Sequence, residues 1–585
     1  MHAKQGIAAS GIFLLTLGAS AWPATTEAAG VQVRFGVEGP ASGPFPSDLF
    51  TTPDPNQHTG LRVNLPKPDC TVRVTDCQTI DVLNTLDGFN LQPRLSIPFT
   101  GPIDLATVTS DTVFLLSLDS TLPGGNAGGQ TVGINQVVRD PDTNTLHVES
   151  DELLEQHTRY ALIVTRGVRD TNGHKLRSGA LEQFRHGLKM AGTLAYEEDL
   201  RDGLAAIRRA RVRRTGIVAL SVFTTQSATA VLEKMRDKIK ADTPASADFL
   251  LGPGGTRTVF PLSNIGSMVF TRQTGTAPTF APTSMAGQLL ALRSLPGVVG
   301  QVAFGKYLSP DYETAAKVIP PVDTASGVPT VQSENEIYFN LFLPSGTPPA
   351  EGWPVAIFGH GNTASKQTSV FFVAADMAER GIATIAINAV GHGNGPLGTV
   401  TVNQTVGSPV TFSAGGRGVD LNGNTIIDLN EGIAAAPPII SRDGLRQTVV
   451  DLMQLVREIE GGMDVDGDTV SDLDPTRIYY FGQSMGGIYG TLFLAVEPNV
   501  LAGVSNVAGG ATIEIGRLSP ASRPVVGAIL AASVPSLINV GGILFNENIP
   551  LRDQLPLINT VPGALAIQEW LEWIEWVQQS GNPVT

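Results

Sequence analysis

The segment Arg477-Ile-Tyr-Tyr-Phe-Gly-Gln-Ser-Met-Gly-Gly487 constrains this chain more than any other. Ile478 to Phe481 is a short apolar run suited to a buried strand, and a helical pattern follows from Gly487 through Leu494. Between them stands Gly482-Gln483-Ser484-Met485-Gly486, a G-x-S-x-G pattern. A serine on a sharp strand-to-helix turn needs small residues two before and two after it, because side chains there would collide across the turn. Such a turn lifts the Ser484 hydroxyl above a sheet as a nucleophile. It also aims the N–H of Met485 at the place where an oxyanion would form. The bland alternative is a glycine-rich turn with an incidental serine.

An elbow of this kind needs a second oxyanion donor from the loop after an upstream strand. Val355-Ala-Ile-Phe358 is an apolar strand that ends at Gly359-His360-Gly361-Asn362, so the N–H of Gly361 or Asn362 is the expected second donor. Ile382–Ile387 is a further buried strand, and Val504–Val507 another. Leu445, Val449, Leu452, Val456 and Ile459 lie on one face of a helix. Strands alternating with helices predict a mostly parallel sheet covered on both faces.

The first third reads differently. Leu95–Phe99, Thr112–Leu116, Thr145–Val148 and Tyr160–Thr165 are short strand patterns, with turn clusters at Asp140–Asn144 and Asp170–Gly173. Regular short strands with polar turns predict a β-sandwich over 30–225, closed by Val218–Thr225 and interrupted by a helix near Tyr196–Arg209. Ser227 is the expected N-cap of a helix running to about Lys240, and the rest of 226–295 reads as a Pro/Gly-rich connector. Residues 1–29 have the form of a secretory signal: Lys4, an apolar core from Ile7 to Leu17, then Ala19-Ser20-Ala21. Cys70 and Cys77 are the only cysteines, and an even, closely spaced pair in an exported chain favours a disulfide over two free thiols. The net charge of −15 argues against nucleic acid as a partner.

Two resemblances follow from these motifs. Ile103-Asp104…Thr107-Val108 and Tyr160…Val164…Asp170…Gly173 resemble bacterial immunoglobulin-like modules of surface proteins. Residues 296–510 resemble the α/β-hydrolase fold. On the His360-Gly361-Asn362 turn, the Asp464–Pro475 segment and Gly482–Gly487, the whole chain resembles secreted bacterial lipases with a virulence-factor lipase N-terminal domain, extracellular phospholipases among them. The resemblance implies an immunoglobulin-like sandwich followed by an α/β-hydrolase domain over 296–585. It also implies Ser484 as nucleophile on carboxylic esters, lipid-like acyl chains among them.

The chain departs from that pattern in one respect. The triad of this fold runs Ser, then Asp or Glu, then His, yet the eight histidines stand at 2, 58, 147, 157, 174, 186, 360 and 392, all before Ser484. A hydroxyl is a poor nucleophile until a base takes its proton. Three expectations stay open: the acid and base lie beyond Thr585, His360 or His392 serves locally, or the chain is a non-catalytic binding relative. A prolyl-oligopeptidase-like peptidase shares the elbow, but no propeller repeat is found.

Two acidic loops suit a structural Ca²⁺. Asp420, Asn422, Asn424, Asp428 and Glu431 occupy positions 1, 3, 5, 9 and 12 of an EF-hand-type loop, with Thr425 in place of the usual glycine. Asp464, Asp466, Asp468, Asp472 and Asp474 form the second loop. Solvated turns are the alternative for both. No cofactor is expected for the chemistry itself. The uncharged run Val525–Phe545 suits a lid or buried helices better than a membrane span. Trp570, Trp573 and Trp576 share one side of a helix, for core packing or for contact with a lipid surface.

Overall fold

The computed structural model describes residues 30–185, 194–209, 216–429, 431–433 and 437–582. The expected signal segment, 1–29, lies outside them.

The N-terminal part is a sandwich of two four-stranded sheets. One runs in the order Leu557–Ile558, Ile134–Asp140, Thr145–Ser150, Arg94–Pro98, and the other Thr131–Val132, Val113–Ser120, Thr158–Thr165, Ile217–Thr224. Leu95, Ile97, Leu146 and Val148 meet Val113, Leu115, Leu162 and Val164 in one core between the sheets. Helices Gly179–Arg185 and Leu194–Arg209 cover the outer face of the second sheet over Phe114, Leu116, Ile163, Leu220 and Val222. With both faces covered, Ile217–Thr224 is buried at every residue, which is why its sequence is a continuous apolar run and not an alternation. Cys70 and Cys77 are disulfide-bonded beside this core.

A seven-stranded sheet follows, in the order Val259–Pro261, Val299–Asp311, Ser333–Pro344, Ala383–Ala386, Trp353–Gly359, Leu473–Gln483, Val500–Asn506. The last four strands are mutually parallel and the first three antiparallel. The two-residue period of a strand sends neighbours to opposite faces. Leu341, Ile357 and Ile385 therefore enter a core with helices Ala230–Ala241, Pro438–Gly461 and Met485–Val496. Phe342, Phe358 and Ala386 enter another with Ala286–Leu292 and Ala374–Glu379. The five periodic residues from Leu445 to Ile459 all lie in the first of these.

The segment expected to be a connector is more ordered than its composition suggests. Ile265–Gly275 and Thr279–Ser284 join Thr399–Gln404 and Val410–Ser413 in an antiparallel sheet. Thr279–Ser284 is almost wholly exposed, so it has no core face to write an apolar alternation into the sequence. The helix expected from Ser227 begins at Ala230. The Ser227 N–H goes instead to Asp87 Oδ1 at 2.8 Å, and Thr229 bonds Glu233 Oε1 at 2.6 Å.

The C-terminal helix Ala564–Gln578, here the tryptophan helix, joins the two parts. Trp573 and Trp576 enter the sandwich core, while Trp570 packs with helices Thr512–Leu518 and Arg523–Ala532. All three indoles are buried, so core packing accounts for their spacing. The apolar run after Arg523 is one short helix and then irregular chain. Among the described residues no helix is long and apolar enough to cross a membrane.

Candidate active site

Ser484 sits between the strand Leu473–Gln483 and the helix Met485–Val496 with φ 54° and ψ −119°. That backbone region is sparsely populated for a residue with a Cβ and costs about 1–3 kcal/mol. Its surroundings hold it there. The Ser484 N–H donates to Asn506 O at 2.8 Å, and Ser484 O accepts from Gly487 N–H at 2.8 Å. A Cβ on Gly482 would lie 2.1 Å from Gly486 O, and one on Gly486 would lie 2.1 Å from Gly359 O. Backbone occupies both places, so neither position accepts a side chain.

Two phenols that the sequence reading left unassigned brace the turn. Tyr480 Oη donates to Gly486 O at 2.5 Å, and Tyr489 Oη donates to His360 O at 3.2 Å. Burial pushes both phenols well above their ordinary range, so they stay protonated as donors. Their one sequence signal is two tyrosines flanking a glycine cluster. Gly359 has to be glycine because a Cβ there would collide with the Tyr480 hydroxyl.

The Gly359–Asn362 turn lies against the elbow. Gly359 pairs with Gly482 across the two parallel strands, and a Cβ on Gly361 would be 3.3 Å from Ser484 Cβ. Met485 is the first residue of its helix, so its N–H has no carbonyl four residues back to bond. Asn362, Ser484 and Met485 line one cavity of about 560 Å³. Its other walls are mainly apolar, from Leu445 and Ile488 beside the elbow to Val525 and Ile529 on the helix Arg523–Ala532 and Trp570 on the tryptophan helix.

The histidines are placed by backbone. His360 Nδ1 donates to Gly361 O at 2.9 Å, and its Nε2 accepts from Ala389 N–H at 3.0 Å. Burial, helped by His392, pulls His360 down to about 3, so it is neutral. His392 Nδ1 donates to Val390 O at 2.9 Å, and its Nε2 lies 3.3 Å from Asn362 Oδ1. Among the described residues Ser484 Oγ has no hydrogen-bond partner. The strand beside the elbow, Val500–Asn506, is the sheet's last, and its outer edge pairs with none of the described strands. Leu501, Val504 and Val507 are 59 %, 63 % and 72 % exposed there.

The two acidic loops repeat one geometry. Asp420 accepts from the N–H groups of Gly423 and Thr425 at 2.8 and 2.9 Å, and Asp464 from those of Gly467 and Thr469 at 2.6 and 3.1 Å. Thr425 and Thr469 both adopt positive φ, 68° and 73°, so threonine fills the turn where glycine was expected. Asp464, Asp466 and Asp472 can each bring an oxygen within 4.8 Å of the others. Burial, with Asp466 and Asp468 nearby, raises the Asp472 carboxyl. Asp468 accepts from Val470 N–H at 2.8 Å. Asp474 turns to Thr476 and Arg477, away from the cluster. In the first loop Asn422 accepts from Asn424 N–H, Asn424 Nδ2 donates to Asp428 Oδ2, and Glu431 Oε2 accepts from Asp428 N–H.

A profile of the bacterial Ig-like domain matches residues 78–185, within the sandwich. No curated protein matches the chain in sequence. Among solved structures, it is similar to an acetyl xylan esterase from Paenibacillus sp. R4, at 14 % identity over 50 % of this chain and 65 % of that one, with a TM-score of 0.26. It is similar to acetyl xylan esterase 1 from Thermoanaerobacterium at 15 % identity, over 41 % and 63 % of the two chains, with a TM-score of 0.23. A DcsB complex with its substrate analogue shares 14 % identity over 28 % and 38 %, with a TM-score of 0.17. The chain therefore spans less than two thirds of each of these proteins.

Proposed function

We propose that this protein is a serine carboxylic-ester hydrolase of the α/β-hydrolase type, acting through an acyl-enzyme on Ser484. The observation that carries the reading is the Ser484 backbone, held at positive φ at a strand-to-helix turn against Gly361 and open to an apolar cavity. Ser484 Oγ attacks the ester carbonyl carbon and loses its proton to a base. The Met485 N–H and an N–H of the Gly361–Asn362 turn hold the oxygen that becomes negative. The carbonyl re-forms, the alcohol leaves with a proton, and water then releases the carboxylic acid from the serine.

The apolar cavity suits the acyl part of the ester, and the helix Arg523–Ala532 has the position of a lid. Lipid-like esters, and a lipid surface as their source, fit that lining. Export through residues 1–29 and membership of the virulence-factor lipase-like group belong to the same proposal. The two loops that start at Asp420 and Asp464 are proposed as structural Ca²⁺ sites, supported by their shared geometry and their hard oxygen ligands.

One observation favours a second reading, a binding protein on a hydrolase scaffold: among the described residues no base is hydrogen-bonded to Ser484 Oγ. Both histidines near the turn donate Nδ1 to backbone carbonyls, and only His392 reaches the cavity wall, through Asn362. Hydrolysis of p-nitrophenyl butyrate decides between the two readings. The hydrolase reading requires turnover that Ser484→Ala lowers by about a thousandfold or more. No turnover, with no labelling of Ser484 by a fluorophosphonate, leaves the binding reading. His392→Ala tests the local base in the same assay.

A further inference from the structure

The chain from His360 to Thr368 carries the Gly361–Asn362 turn, yet it is neither strand nor helix. It makes two turns of its own, from Ala364 N–H to Gly361 O at 3.2 Å and from Thr368 N–H to Ser365 O at 3.0 Å. Buried backbone groups need partners, and irregular chain has to find them outside itself. Lys366 is 1 % exposed and makes ties to three different stretches of chain. Its N–H donates to Asn388 Oδ1 at 2.8 Å, and its carbonyl accepts from Asn340 Nδ2 at 2.7 Å. Its Nζ donates to Gly415 O at 2.7 Å and to Ala414 O at 3.4 Å.

Burying an ammonium without a carboxylate is unfavourable, and among the described residues no carboxylate is paired with Lys366. Burial, helped by Arg417, pulls the amine down to about 7. Charged or neutral, it keeps N–H groups for both carbonyls. Those carbonyls belong to a loop that is itself fixed to the sheet and to the helix Pro438–Gly461. Two residues beyond Gly415, Arg417 is ion-paired with Asp451, which also accepts from Ser309 Oγ at 2.7 Å and from Gln447 Nε2 at 3.0 Å. Arg417 N–H donates to His392 O at 2.7 Å, and His392 Nε2 lies 3.3 Å from Asn362 Oδ1. The ties close a circuit. It runs from Asn362 through His392 and Arg417 to Gly415, across Lys366 Nζ, and back along the chain to Asn362. Asn362 is thus held from its side chain by His392 and along its backbone by Lys366.

We propose that Lys366 is a positioning residue for the Gly361–Asn362 turn, holding its N–H groups where the oxyanion at Ser484 forms, an assignment that rests on the ester-hydrolase reading. Misplacing a donor that acts only on the oxyanion lowers kcat and spares KM, whereas a change in how the cavity holds the ester moves KM. The test is steady-state hydrolysis of p-nitrophenyl butyrate by the full chain, with the folded fraction of each variant measured by urea unfolding. Lys366→Met keeps the length of the side chain and removes its N–H groups. Its kcat is expected to fall by about ten- to a hundredfold, with KM within about twofold of wild type. Asn340→Leu leaves the amine in place and removes the tie to the Lys366 carbonyl. Asn340 Oδ1 has no partner, so this variant deletes a single hydrogen bond, and kcat is expected to fall about fivefold, again with KM unchanged. Where Lys366→Met fails to fold, Asn340→Leu decides. Lys306→Met, which removes an amine paired with Glu336, is expected to leave both constants unchanged. The proposal is overturned by folded Lys366→Met or Asn340→Leu turning over like wild type, by a fall in kcat no larger than the fall in folded fraction, or by KM rising while kcat holds. Absence of turnover in the wild type removes the ester-hydrolase reading and this assignment with it, a result distinct from wild-type activity that is indifferent to Lys366.

Discussion

Trp576 stacks on Phe89, with ring centroids 5.2 Å apart and planes inclined by 29°, and its indole N–H donates to Gly88 O at 3.0 Å. One ring comes from the start of the sandwich and the other from the last helix. Trp576→Ala is expected to lower stability by about 3–5 kcal/mol, the usual cost of emptying a buried aromatic site. Trp576→Phe keeps a ring on Phe89 and forfeits the hydrogen bond, a loss of about 1 kcal/mol plus the packing of the smaller ring. Urea unfolding measures both, and equal midpoints for wild type and Trp576→Ala would refute the assignment.

Gly486 tests the elbow. A methyl group there would lie 2.1 Å from Gly359 O, so Gly486→Ala has to push the Gly359–Asn362 turn away from Ser484. We expect ester hydrolysis to be lost, with a destabilisation of about 1–3 kcal/mol. Gly510, whose added Cβ would meet nothing within 4 Å, is the control, and Gly510→Ala should fold and turn over normally.

Glu572 gives stability a pH dependence. Burial raises its carboxyl from 4.5 to about 7. The group's contribution is complete below about pH 4.5, where folded and unfolded chains are both protonated. It falls as pH rises toward 7, because the unfolded chain ionises first. The loss is about 3 kcal/mol across that window. Burial raises Asp48 and Glu313 to about 7 as well, which adds the same sign. His147 and His360, both pulled down to about 3 by burial, act with the opposite sign below about pH 6.5, so the part due to Glu572 is read as the excess of the wild-type urea midpoint near pH 6 over that near pH 8, relative to Glu572→Gln. Glu572→Gln should shrink the difference, and a profile identical to wild type would remove Glu572 from the account.

Calcium is tested by removing it. With free calcium about a hundredfold above its Kd, binding to the native state adds about 3 kcal/mol per site, which a chelator takes away. The expected reading is a fall in Tm with chelator, restored by Ca²⁺ and reduced by Asp464→Ala or Asp420→Ala. A Tm indifferent to chelator would mean that these loops are solvated turns.

The bare strand edge has its own signature. An exposed apolar edge invites pairing with another chain, and lysine on such an edge suppresses it. Val504→Lys is expected to lower concentration-dependent light scattering while leaving Tm within about 1 °C. Unchanged scattering would mean that the edge is not the sticky surface.

The elbow was legible because its constraints fall on the backbone and leave glycines behind. Gly482 is dictated by Gly486 O within the same turn, and Gly486 by Gly359 O of the neighbouring glycine turn. The sandwich strands were legible as apolar runs between turns. The destination of the tryptophan helix was not. Three indoles at a spacing of three describe a buried side equally well for a core, a lid or a lipid surface, and only the sandwich 487 residues upstream decides. The brace from Tyr480 to Gly486 O was hidden for a related reason: a tyrosine in a buried strand reads as bulk, and the destination of its hydroxyl depends on the fold. The sheet within 226–295 was missed because Thr279–Ser284 has no buried face to pattern.

The pairing of Leu557–Ile558 with Val138 and Arg139 bears on how the chain is made. These partners are separated by 419 residues, as are Asn559 and Asp140, whose side chains also meet. At a synthesis rate of about 5–20 residues per second, the strand Ile134–Asp140 waits roughly 20–80 s for its neighbour. Through that interval the nascent sandwich shows an open edge, and the pocket around Phe89 stands empty of Trp576. The N-terminal module is thus completed last although it is translated first, and a piece cut out at its sequence boundaries would lack the strand and the indole that close it.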